Sequence, residues 1–226
     1  MTWQDSVERS GFAILPPVLS GDEVKRLLAD MNESTLHRSR AGIRHALKHP
    51  AVADIANDGR ILNIAKEILG ADTLPFHATL FDKSPAANWL VMWHQDRALP
   101  IRERREVAGW GPWSVKEGVT YAHAPASALA NVLALRVHLD HSTETNGPLR
   151  VLPGTHAMGI LDDQAIHKLA EDIAPVECLV ERGGVLAMRP LILHSSSKST
   201  GTEPRRVLHI EYAASAMLDD GLELAR

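Results

Sequence analysis

Apolar positions along the chain follow two rhythms, which change over near residue 72. After a short apolar run broken by two prolines (Gly11 to Leu19, GFAILPPVL), Val24, Leu27, Leu28 and Met31 recur at the spacing of one helix face. Ser20-Gly-Asp-Glu23 stands before them as a capping box, whose hydroxyl and carboxylate satisfy amides left free at a helix start. The pattern predicts a helix over 21–36. A second helical stretch begins at Pro50 and runs through Ile61, Leu62, Ile64, Ala65, Ile68 and Leu69, with a break expected at Asp58-Gly59 and a left-handed stop at Gly70.

Beyond residue 72 the apolar runs are short or alternating and are bounded by Gly, Pro, Asn and Ser, which predicts strands. The candidates are 74–82, 89–95, 131–140, 148–152, 176–180, 184–189, 191–194 and 205–213. Strands following two helices predict an α+β fold in which the strands close as a jelly-roll-like barrel. The stretch 97–130 has neither rhythm. It carries Arg97, Arg102, Arg104 and Arg105, then Trp110 and Trp113, then an Ala/Pro-rich piece, and reads as a long active-site loop. With no repeat, low-complexity tract or linker, the expectation is a single domain over 1–226, with 1–72 mainly helical support and 73–213 the barrel.

Composition narrows the function. A chain of 226 residues that is 45% apolar and 23% charged can bury a sizeable core. A net charge of −4, with five Trp, two Tyr and three Phe, argues against a nucleic-acid partner. Runs such as Val132 to Leu135 fall far short of the roughly 18 residues of a membrane span, and no targeting signal is visible, so a cytoplasmic protein with no membrane partner is expected. The lone Cys178 excludes an internal disulfide framework and a thiolate zinc cluster. The 12 histidines therefore draw attention as nitrogen ligands.

Trp93-His94-Gln95-Asp96 ends a predicted strand, where alternation sends His94 and Asp96 to one face. An imidazole and a carboxylate projecting together supply two parts of a 2-His-1-carboxylate triad for Fe(II). The third ligand must come from another strand. His194, closing the run Leu191-Ile192-Leu193, is the candidate. Eleven residues further, Arg205 opens the strand RRVLHIEYA; a guanidinium forks onto a carboxylate, which suits it to a dicarboxylate co-substrate. Arg205 and Arg206 fall on opposite faces, so only one of them points inward.

These motifs in this order resemble the phytanoyl-CoA dioxygenase family of Fe(II)/2-oxoglutarate-dependent oxygenases. The residues that carry the resemblance are SGFAILPPVLSGDEV, LFDKSP followed by WHQD, LRVHLDHSTETNGPLRVLPGTH and LILHSSSKSTGTEPRRVLHIEYA. The resemblance implies a double-stranded β-helix, a cupin-like barrel, with the N-terminal helices packed on one face. It implies iron on His94, Asp96 and His194, and the distal carboxylate of 2-oxoglutarate on Arg205. Ser196 matches a position near the same co-substrate, Thr79 and Arg136 match pocket positions, and Lys83 matches a lysine that here has equal claim to be a surface residue. The implied reaction is hydroxylation of an unactivated C–H bond of a small molecule, using dioxygen and decarboxylating 2-oxoglutarate to succinate. Halogenating relatives lack the carboxylate ligand, so Asp96 favours hydroxylation, desaturation or ring closure.

Gln95 and Arg97, beside the ligands, and Trp110 and Trp113 are candidates for substrate contact. With Arg102, Arg104 and Arg105 the two tryptophans would form a lid, or else a loop packing its own aromatics. His156 is expected to bond loop backbone. His138 and Asp140 share a face with Arg136 without a third ligand, and the other histidines, His209 among them, default to packed or solvated positions. Two other readings stay open: a 2-oxoglutarate-independent cupin-type metalloenzyme, and a non-catalytic jelly-roll binding module.

Overall fold

The computed structural model describes residues 1–84, 87–218 and 221–226. Helix α1 (Trp3–Ser10) opens on a Thr2/Asp5 capping box and stops at Gly11, whose φ of +84° and close approach to the His156 ring leave no room for a Cβ. Strand β1 (Phe12–Leu15) follows. Helix α2 (Gly21–Asn32) has the expected Ser20/Glu23 box, with both reciprocal bonds formed. It ends before residue 36, because past Met31 no apolar side chain falls on its buried stripe until Leu36. A small hairpin, β2 (Arg38–Ser39) and β3 (Gly42–Ile43), precedes α3 (Pro50–Asn57) and α4 (Gly59–Leu69). The break at Asp58 is a cap: its carboxylate accepts from the Arg60 amide. Gly70 has a positive φ of 100° but an extended ψ of 175°, so it leads straight toward the sheet without a left-handed cap.

The remaining strands are β4 (Leu74–Lys83), β5 (Val91–His94), β6 (Ala98–Ile101), β7 (Trp113–Lys116), β8 (Val119–His123), β9 (Val132–His138), β10 (Leu149–Val151), β11 (Val176–Cys178), β12 (Val185–Met188), β13 (His194–Ser196) and β14 (Arg205–Ala213). Helices α5 (Ala126–Leu129) and α6 (Asp163–Asp172) lie among them. A seven-stranded sheet in the order β1-β12-β9-β14-β4-β3-β2 and a four-stranded sheet in the order β11-β10-β13-β5 form the α+β jelly-roll framework. They face each other across a cavity lined from both. Strand β9 is buried along its whole length: Leu133, Leu135 and Val137 meet the helical side, while Arg136 turns to the cavity.

The helices cover the outer face of the larger sheet. Val24, Leu27, Ile61 and Ile64 pack in one cluster with Leu135, Val137, Leu208 and Ile210. Each such side chain contributes about 1.5–3 kcal/mol of hydrophobic stabilisation. No helix among the described residues is long and apolar enough to cross a membrane.

Three parts of the sequence pattern mislead. The stretch 97–130 is no loop: β6, β8 and β7 form a three-stranded antiparallel sheet, with α5 after it. Pro100 inside β6 breaks the strand signal. The β7–β8 hairpin turns on Glu117-Gly118, both at positive φ, and only one of the two is the glycine such a turn favours. Helix α6 was hidden because none of its residues is buried, so it carries no apolar stripe; Asp162 caps it. Leu191 to Leu193 lead into β13 without being a strand themselves.

Tyr212 is fully buried and donates its hydroxyl to the Ala56 carbonyl at 2.9 Å, tying β14 to α3. Tyr212→Phe orphans that carbonyl and is expected to cost about 1–2 kcal/mol, lowering the thermal midpoint by a few degrees; an unchanged midpoint would refute the tie.

Candidate metal centre

Strands β13 and β5 run antiparallel with His194 directly opposite His94, which brings the ring centroids to 4.2 Å. The register shifts immediately beyond, so that Ser196 opposes Val91; the irregularity sits at the ligands themselves. Both imidazoles are fixed in the same way. His94 Nδ1 lies 2.8 Å from the Met92 carbonyl and His194 Nδ1 2.9 Å from the Ile192 carbonyl. A carbonyl only accepts, so each Nδ1–H donates and each Nε2 is left with its lone pair free. Asp96, anchored by its amide to the Pro190 carbonyl at 2.9 Å, places its carboxylate 3.6 Å from His94 Nε2 and 3.5 Å from His194 Nε2.

One donor atom from each of the three lies within 4.8 Å of the others, and no other such group occurs among the described residues. Two oriented imidazoles and one carboxylate, with no thiolate, are the donor set for Fe(II) with open positions, so these residues fit that ion. Burial alone would raise the Asp96 pKa, but His194 and His94 beside it hold the carboxyl well below the usual range. Burial pushes His194 down to about 4, keeping it neutral and ready to ligate.

Away from the triad the cavity reaches Arg205, with Lys83 buried beside it. Lys83 and Arg205 oppose each other on β4 and β14, and are 1% and 4% exposed. Lys83 Nζ donates to Ser196 Oγ at 2.8 Å and the Ser197 carbonyl at 2.7 Å. Arg205 Nη2 donates to the same Oγ at 3.2 Å, Nε reaches the Asn146 carbonyl at 3.4 Å, and buried Nη1 has no partner. Burial first, then Arg205 and Arg136, push Lys83 down to about 8, and no acid opposes them. Lys83 is thus an interior residue, which its place in LFDKSP left undecided. Arg206 points outward and grips Asp140 through Nε and Nη2 at 2.8 and 2.7 Å.

Between these ends sit Thr79, Arg136 and His209, all on the cavity wall. Arg136 Nη1 donates to His209 Nδ1 at 3.0 Å and the guanidinium lies 5.3 Å from the Phe81 ring centre. His209, pushed down to about 3 by burial and then by Arg136, went unassigned in the sequence. The signal was available: it shares the β14 face of Arg205.

The other candidates scatter. Gln95 lines the cavity, but its amide is engaged by the backbone of Gly159, Leu191 and Leu161. Arg97 lines it with a buried, unpartnered Nε. Trp110 is 8% exposed within a cluster with Leu99, Ile101 and Leu129, and Trp113 packs against that cluster; neither is on the cavity wall. Arg102 pairs with Glu223, Arg104 with Glu106, and Arg105 bonds the Gly221 carbonyl, all away from the cavity. His156 bonds the Glu8 carbonyl at 3.0 Å. His138 is buried off the cavity with neither ring nitrogen partnered.

Similarity to known proteins agrees with this geometry. An ectoine dioxygenase of Bordetella bronchiseptica is 26% identical over 212 residues, 81% of this chain and 62% of that protein. An L-proline trans-4-hydroxylase of Streptomyces griseoviridis is 27% identical over 138 residues, 50% of this chain and 51% of that one. The chain spans less than two thirds of either relative. The crystal structure of EctD from S. alaskensis with 2-oxoglutarate and 5-hydroxyectoine superposes with a TM-score of 0.68 at 20% identity, covering 93% of this chain and 74% of that one. The phytanoyl-CoA dioxygenase (PhyH) profile matches residues 7–207, and the chain belongs to that family.

Proposed function

We propose that this chain is an Fe(II)/2-oxoglutarate-dependent oxygenase that hydroxylates an unactivated C–H bond of a small molecule, with decarboxylation of 2-oxoglutarate to succinate. The observation that carries this reading is that the His94/Asp96/His194 cluster and Arg205 open on one cavity, with Lys83 buried beside Arg205 on the same Ser196 hydroxyl and neither cation facing a protein counter-charge. A 2-oxoglutarate-independent metalloenzyme has no use for two desolvated cations beside its metal. The named activities of the relatives, and the 2-oxoglutarate bound in EctD, support the same class.

When bound, iron and 2-oxoglutarate supply the oxidising power: oxidative decarboxylation of the keto acid activates dioxygen for insertion into a C–H bond. His94, Asp96 and His194 would hold the metal from one side and leave the other to co-substrate and dioxygen. Arg205, Lys83 and their shared partner Ser196 would take the distal carboxylate, a charge-assisted contact that lysine alone could not orient. Arg136, beside Thr79, keeps a cation over the triad without ligating it. The cavity, about 360 Å³, lies at the low end for small-molecule sites and must admit both co-substrate and substrate. The reacting molecule is therefore small, and any bulky carrier group would stay outside.

Anaerobic addition of Fe(II) and 2-oxoglutarate is expected to give a visible metal-to-ligand charge-transfer band that Asp96→Ala or Arg205→Ala weakens or abolishes. No band, or one surviving both substitutions together, would sink the reading. A second measurement concerns pH. Lys83 sheds its proton as pH rises through about 8, and a dianion prefers the ammonium form, so 2-oxoglutarate affinity should hold steady below that pH and fall above it. Lys83→Gln should bind 2-oxoglutarate about 10- to 100-fold more weakly at neutral pH, with a flattened profile. A wild-type affinity that stays level to pH 9 would contradict this role.

A further inference from the structure

Register orders the cavity face of the larger sheet in rows. Along β4 and β14, Lys83 pairs with Arg205, Thr79 with His209, and His77 with Glu211. The first row is the cationic floor and the second adjoins the metal ligands. The last, at the far end, has the opposite character. His77 Nδ1 lies 2.7 Å from Glu211 Oε2, and His77 Nε2 lies 3.1 Å from the Tyr121 hydroxyl. A carboxylate only accepts, so Nδ1 carries the proton and donates to Glu211, while the Tyr121 hydroxyl bonds Nε2 at the other edge of the ring. The chain is held firmly: His77 is 8% exposed, Tyr121 is 4% exposed, and the His45 ring meets His77 edge-on at 5.5 Å.

This arrangement spends one oxygen of Glu211 on His77 and leaves the other without a donor among the described residues, on the cavity wall. Asp96 and Glu211 are the only acids lining the cavity among the described residues, and Asp96 belongs to the triad. The other charges at this end are cationic: Arg44, Lys116 and Arg97, the last with its buried Nε unpartnered. A purely hydrocarbon substrate would close over that carboxylate and that guanidinium and strip both of water with nothing in return. A molecule carrying a protonated nitrogen and a carboxylate satisfies both.

We propose that Glu211, positioned by His77 and Tyr121, binds a protonated nitrogen of the substrate, and that Arg97 binds its carboxylate, so that the enzyme acts on a small amino-acid-like zwitterion. This rests on the oxygenase reading above. Neither arm uses a residue of the metal triad or of the cationic floor.

The test titrates the anaerobic Fe(II)·2-oxoglutarate enzyme with a panel of small cyclic and acyclic amino acids. Each is matched by its N-acetyl form and by the carboxylic acid lacking nitrogen, with perturbation of the charge-transfer band and succinate formation in air as readouts. At least one zwitterion is expected to act at concentrations about tenfold or more below those of its two counterparts. Glu211→Gln should abolish that gap, Glu211→Asp should restore part of it, and Tyr121→Phe should narrow it, while the 2-oxoglutarate half-point moves less than twofold and so reports an intact fold. Equal response to all three forms, no response to any amino acid, or a gap untouched in Glu211→Gln overturns the proposal. Absence of the band in the wild type is a separate result that removes the oxygenase reading, and this one with it.

Discussion

Antiparallel register is the constraint on which the site rests. Side chains alternate faces along a strand, so a slip of one residue in β14 would trade Arg205, His209 and Glu211 for Arg206, Leu208 and Ile210 inside the cavity. Features on the outer face prevent it. Arg206 is clamped to Asp140, Leu208 and Ile210 are buried against the helices, and Tyr212 is bonded to α3. The helical layer thus does more than cover apolar surface; it selects which half of β14 meets the chemistry. The same logic acts across β13 and β5, where direct opposition of two histidines brings their rings together, and the Asp96 amide on the Pro190 carbonyl holds its carboxylate beside them.

Charge is distributed along the cavity as a sequence of unlike stations. Cations without acids lie at one end, a carboxylate flanked by two imidazoles in the middle, and a carboxylate with one open oxygen at the other. Burying Lys83 and Arg205 with no counter-ion works against folding, since desolvation of a charge is repaid only by a partner. Retention of both fits the proposed binding of a dicarboxylate, which would bring the missing charge. Such departures from self-sufficiency are where a sequence serves function over stability.

The parts of this protein legible in its sequence are those set by local rules or by spacing on a single strand. The Ser20/Glu23 capping box, the break at Asp58, the shared face of His94 and Asp96, and the pairing of a late histidine with Arg205 needed no knowledge of distant neighbours. What escaped is long-range. Lys83 reads equally as a pocket lysine or a surface residue until β14 is laid beside it. His77, Tyr121 and Glu211 come from three strands far apart in the chain and carry no motif. Segment 97–130 looked irregular because a proline and a Glu-Gly turn masked its strands, and its tryptophans, which invite a reading as a lid, serve instead as the core of the small sheet. Resemblance supplied the iron site; only geometry supplied what surrounds it.

The small sheet β6–β8–β7 pairs with itself, and its one described backbone link to a neighbour is the isolated bridge from Ile101 to Leu224. It is joined to the barrel by apolar packing of Leu99 and Ala122 with Phe76, Val132 and Ala213, and by the Tyr121 hydroxyl on His77. From it or its border come Ala98, Lys116, Tyr121 and His123 on the cavity wall, and from the barrel come His94, His194, Arg205, His77 and Glu211. Packing tolerates replacement better than a hydrogen-bonded ladder does. The far end of the cavity is thus assembled from two frameworks, Tyr121 and Lys116 from the small sheet and His77 and Glu211 from the barrel, so a shift of the small sheet on its packing would reshape that end while leaving the β13–β5 pair in place.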